Sequence, residues 1–62
     1  MFRYVVINKA DKKVIGVNQG NEIPKENNQV TFLEITWDNT INMSNFDYIF
    51  KNGDLMQMEK SE

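Results

Sequence analysis

Phe46-Asp47-Tyr48-Ile49-Phe50-Lys51-Asn52-Gly53-Asp54-Leu55-Met56-Gln57-Met58 is the stretch on which the reading of this chain turns. Asn52-Gly53 stands between two runs of apolar and aromatic residues. A two-residue hairpin loop of the primed type needs positive φ at both central positions, and Asn-Gly meets that need at least steric cost. The stretch therefore predicts strands over 46–51 and 54–58. Counting from the loop places Lys51 opposite Asp54, Phe50 opposite Leu55 and Ile49 opposite Met56. Side chains alternate across a strand, so Phe46, Tyr48, Phe50 and Leu55 share one strongly aromatic face. Lys51 and Asp54 form a cross-strand pair of opposite charge. Residues 59–62 read as a charged, frayed tail.

Working outward, residues 30–37 (VTFLEITW) alternate, with Leu33, Ile35 and Trp37 expected on the core side and Glu34 and Thr36 outward. Asp38-Asn39-Thr40 ends that strand with turn chemistry. Residues 41–45 are too short and too polar for an amphipathic helix, and allow one helical turn or an irregular crossing.

At the other end, residues 2–8 (FRYVVIN) are β-branched and aromatic. A turn at Lys9-Ala10-Asp11-Lys12 leads to a return strand over 13–17. Counting back pairs Ile7 with Val14, Val6 with Ile15 and Tyr4 with Val17. On that register Phe2, Tyr4, Val6, Ile15 and Val17 share one face, and Arg3, Val5, Ile7, Val14 and Gly16 the other. Both faces are apolar, so the hairpin is expected at the centre of a sheet or covered on both sides. Gly16 within the strand suggests a bulge or a close backbone approach. Residues 18–29 are a polar loop, long for a compact domain, with Ile23-Pro24 as a small apolar anchor. The fold class expected is mostly β. One domain over 1–62 holds a small antiparallel sheet or meander of about five strands, with two hairpins and at most one helical turn.

Sixty-two residues make a marginal core. Burial of roughly 6,400 Å², about 60% of it apolar, contributes about 95 kcal/mol, and ordering the chain costs about 93 kcal/mol. With neither His nor Cys, the chain offers no disulfide and no zinc set of those ligands. Stability is then expected from a very regular β core, self-association or a larger partner.

The same absences remove the commonest general base and the best nucleophile. The nine carboxylates are scattered over turns, loops and exposed strand positions, and no glycine-rich phosphate loop or oxygen-ligand metal loop is present. No catalytic residue, cofactor or metal is expected. Net charge is −2 and Arg3 is the single arginine, which opposes a phosphate-tracking surface despite seven aromatic rings. The opening apolar run is too short for a signal peptide, and no segment reaches the length of a membrane span.

The hairpin pattern over 4–17, a polar linker, and the closing aromatic-x-aromatic-x-aromatic-Asn-Gly-x-Leu hairpin over 46–55 together resemble small open reading frames of bacteriophages of low-GC Gram-positive bacteria. Such frames often lie among tail and baseplate genes. The resemblance covers about half the chain and carries over no functional residue. It implies a non-enzymatic phage protein acting by protein–protein interaction, as a structural or adapter component of a tail or baseplate. The alternative is a small phage inhibitor that binds and blocks a host protein, such as a defence, transcription or replication component. The expected partner is a phage structural protein or a host protein, with homo-oligomers a further option and neither nucleic acid nor membrane expected. The location implied is the virion or the host cytoplasm. Trp37, Phe46, Tyr48, Phe50 and Leu55 are the candidate interaction surface. Aromatic and methionine side chains are favoured at interface cores, and a small sheet is not expected to cover all of these rings.

Overall fold

The computed structural model describes residues 1–60. It contains five strands: β1 (Phe2–Asn8), β2 (Val14–Gly20), β3 (Val30–Ile35), β4 (Phe46–Lys51) and β5 (Asp54–Glu59), with no helix among the described residues. They form an antiparallel three-stranded sheet in the order β2-β1-β3 and a separate hairpin, β4-β5. This is the small, mostly β architecture that the alternation predicts, divided into two sheets.

β1 is the central strand. Its two apolar faces have a direct use: Val5 and Ile7 are fully buried against the second sheet, while Tyr4 is buried on the opposite side. There its ring meets Phe32 edge to face, with centroids 5.6 Å apart. Quadrupoles favour that geometry over a stacked pair.

The β1–β2 loop confirms the turn and refines it. Lys12 takes φ 66°, and Asn8 and Lys13 close the hairpin through Asn8 N–H to Lys13 O at 2.8 Å. The Asp11 carboxylate accepts from Lys13 N–H at 3.0 Å, and the Asn8 amide oxygen from Ala10 N–H at 3.1 Å. Ile7 pairs with Val14 as the count requires. The register then shifts, so that Val6 faces Gly16 and Val5 faces Val17. Ile15 is the extra residue of a β-bulge. The expected pairs Val6–Ile15 and Tyr4–Val17 are replaced, and Val17 moves to the face of Val5. A one-residue slip inverts every later side chain. Gly16 marked the place. β2 also runs on through Gly20 instead of stopping at Val17, because Asn18 and Gly20 find partners in Tyr4 and Phe2.

β2 and β3 flank β1 and run in the same direction, so the chain between them must return the length of the sheet. Residues 21–29 make this crossover, and their length follows from it. Ile23 is half-buried along the way and Pro24 is exposed. Asn27 ends the crossover: its side-chain oxygen accepts from Gln29 N–H at 2.8 Å and Val30 N–H at 2.9 Å. The Lys9–Glu26 ion pair, at 2.6 Å, ties it to the first turn.

β3 ends at Ile35, two residues before the expected limit. Leu33 and Ile35 do face the core, but Trp37 stands 58% exposed in a turn. The Arg3 guanidinium donates to the carbonyl oxygens of Thr36, at 2.9 Å, and of Asn39. Those contacts bend the chain away from the sheet before the alternation can place the indole inside.

The second hairpin has the expected register throughout, from Phe46 opposite Glu59 to Lys51 opposite Asp54. Asn52 and Gly53 have φ of 55° and 81°, as a type I′ loop requires. β5 extends one residue past the count, through Glu59, and the exposed Lys60 has no regular structure, as the tail expectation has it; 61–62 lie outside the described residues. Lys13 bridges Ile49, and Phe50 N–H donates to Lys12 O at 2.8 Å. These bonds fold β4-β5 over the buried face of β1. The core is Val5, Ile7, Val14, Ile35 and Tyr48, with Leu33, Ile41, Met43, Phe46, Phe50 and Leu55 packed around it. Residues 42–46 form a single turn, with Asn42 O accepting from Phe46 N–H at 3.1 Å.

Candidate protein-interaction surface

The aromatic face of the closing hairpin is turned inward. Tyr48 is 4% exposed, and Phe46, Phe50 and Leu55 are half-buried against the core. A molecule approaching the folded chain meets Trp37 but not the Tyr48 ring. The reason is the facing sheet: Val5, Ile7 and Ile35 present an apolar surface that these rings cover, with Ile41 and Met43 packed beside them. The Tyr48 hydroxyl accepts from Asn42 N–H at 3.0 Å and donates to Gln57 Oε1 at 2.9 Å. Both of its polar functions are therefore satisfied inside the fold, and no buried side-chain polar atom among the described residues lacks a partner.

What the hairpin offers outward is its other face. Ile49 lies opposite Met56 and Asp47 opposite Met58, and the two methionines are about half exposed. The alternation of β5 carried this signal, since Leu55 facing in requires Met56 and Met58 to face out. Ile15, the bulged residue, is 55% exposed two positions from the Lys13–Ile49 bridge. Nothing in the sequence pattern alone placed it there. The whole chain exposes 4757 Å², against about 4,200 Å² for a compact monomer of this mass.

A half-open cleft of about 430 Å³ lies between β3 and β5, with Thr36, Asn39, Thr40 and Ile41 of the β3–β4 connection lining it as well. Leu33, Ile35, Ile41 and Leu55 give it an apolar floor, and Glu34 and Asp54 are the charged residues along it. Among the described residues no three His, Cys, Asp or Glu side chains gather as a metal set. No helix among them is long and apolar enough to cross a membrane. Two exposed carboxylates depart from ordinary acidity. Glu26 is held below the usual value by the hydrogen bond and charge of Lys9, and Asp38 by the Thr36 side chain and its own backbone N–H. Neither lies in a pocket that would turn such a shift to acid–base chemistry. Comparison with protein-family models, with curated proteins and with solved structures finds no match to this chain.

Proposed function

We propose that the protein acts by binding other proteins, as a small structural or adapter component of a phage tail or baseplate. The observation that carries the binding role is the outward face of β4-β5, where Met56 and Met58 stand exposed beside Ile49. Methionine suits irregular partner surfaces, and exposed apolar side chains gathered on one face are what a docking protein needs. The phage assignment rests on the hairpin patterns over 4–17 and 46–55. The test is association of the tagged chain with purified particles of the virus that encodes it, followed by sedimentation. Retention with the particles supports the role, and Met56→Lys with Met58→Lys should abolish it without unfolding the chain. Absence from the particles refutes the structural reading.

A second reading, an inhibitor that binds and blocks a host protein, is favoured by the completeness of the core. A chain that buries Val5, Ile7 and Tyr48 and satisfies the Tyr48 hydroxyl by itself is suited to work as a free monomer. Recovery of one host protein with the tagged chain, and not of particles, would select it.

A further inference from the structure

We infer that the gap between β3 and β5 is a docking seam for one extended strand of another protein, alternating apolar and basic residues. The inference rests on the protein-binding reading above, and it assigns the kind of partner and the place where it fits.

Strand direction is the first argument. β1 is antiparallel to β2 and to β3, Lys13 at the head of β2 bridges Ile49 in antiparallel fashion, and β4 is antiparallel to β5. With the single Lys13–Ile49 bridge taken as the link between the two sheets, β3, β1, β2, β4 and β5 alternate in direction, so the two outer strands run the same way. An odd number of alternating strands cannot close with every pair antiparallel. One further strand, running opposite to both edges, completes a ring of six. Free edges are templates for such addition, because half of their N–H and C=O groups point away from the sheet.

The side chains define what that strand must carry. Leu33, Ile35 and Leu55 turn toward the interior of the seam, whereas Glu34 and Asp54 stand exposed along its outer side. No basic residue lines the cleft. Lys51 is in register with Asp54, but among the described residues the two form no ion pair; the Asp54 carboxylate instead accepts from Leu55 N–H at 2.8 Å, which leaves its second oxygen for a basic partner. A strand with apolar residues at alternate positions would fill the floor, and basic residues between them would meet Glu34 and Asp54. The same charges argue against a second copy as occupant, since two seams brought together would set acid against acid.

The experiment uses the full chain, labelled for amide NMR, and an eight-residue capped peptide alternating valine and lysine. A peptide alternating valine and glutamate is the control. The expected result is shifts and exchange protection at amides of 33–36 and 54–57, with the glutamate peptide binding about tenfold more weakly. Glu34→Lys with Asp54→Lys should reverse the preference. Both sites are exposed, and Glu34→Gln, expected to weaken the lysine peptide alone, serves if the double variant misfolds. No shift up to millimolar peptide, equal binding of both peptides, or shifts along β2 instead would overturn the inference. Protection of the same amides by self-association in the absence of peptide would also overturn it, giving the seam to a second copy. Absence from virus particles leaves this result untouched, and a failed peptide titration leaves the Met56 and Met58 test standing.

Discussion

Truncating Tyr48 should cost a large share of the stability of the fold, and removing only its hydroxyl a small one. The ring is 4% exposed and sits in the core with Val5, Ile7, Val14 and Ile35. Replacing a buried aromatic by alanine costs about 3–5 kcal/mol. A domain of 62 residues holds about 3–9 kcal/mol in total. Tyr48→Ala therefore removes between about a third and all of the stability. Tyr48→Phe keeps the ring but leaves Asn42 N–H and Gln57 Oε1 without their partner. Gln57 is exposed and turns to water, whereas the half-buried Asn42 amide does so less easily. The net loss is then about 1 kcal/mol. With a urea slope near 1 kcal/mol/M for so small a chain, the midpoint should fall by about 1 M. Far-UV circular dichroism through a urea titration measures both variants, and amide exchange at Asn42 reports the lost bond directly. A Tyr48→Ala variant within about 1 kcal/mol of the parent would refute the placement of this ring in the core, and with it the inward orientation of the whole hairpin.

The glycines should respond in opposite senses. Gly53 has φ 81° and open space around a new Cβ, so Gly53→Ala is expected to lose about 1 kcal/mol through backbone strain alone. Gly16→Ala meets nothing within 4 Å and needs no positive φ, and is expected to gain about 0.5 kcal/mol by restricting the unfolded chain; thermal melts of the two decide the matter. Glu26 has a folded pKa below its ordinary 4.5, so its contribution is present above that value and is lost as pH falls through the lower folded value. Melting temperature should therefore decline below about pH 4.5, and Glu26→Gln should make that decline shallower by a small amount, because the pair is exposed to solvent.

The parts of this fold legible in the sequence are those fixed by local backbone chemistry. Asn52-Gly53 sets both its loop and, by counting, every pair in β4-β5. Apolar residues on both faces of 2–8 mark β1 as central. The parts that were not legible depend on residues far apart in the chain. Gly16 signals an irregularity, but only the partner strand decides that Ile15 is the residue left over, and that single choice moves Val17 to the other face. Trp37 continues the alternation of Leu33 and Ile35 on paper; the contacts from Arg3, 33 and 36 positions away, end the strand first. Of the candidate surface residues, aromatic crowding identified a real cluster. Its direction depended on a facing sheet whose apolar side no local pattern reveals.

The central position of β1 also sets the tempo of assembly. Its hairpin with β2 is local, but its other edge pairs Arg3 with Ile35 and Val5 with Leu33 across about thirty residues of chain. That loop must close before any of the pairings reward it, and the entropy lost in closing it comes first. The β1–β2 and β4–β5 hairpins are expected within microseconds, and the long-range closures, β3 onto β1 and β4 onto Lys12 and Lys13, set the overall rate. Substitutions at Leu33 or Val5 should then slow folding, whereas those at Met56 should leave the rate unchanged.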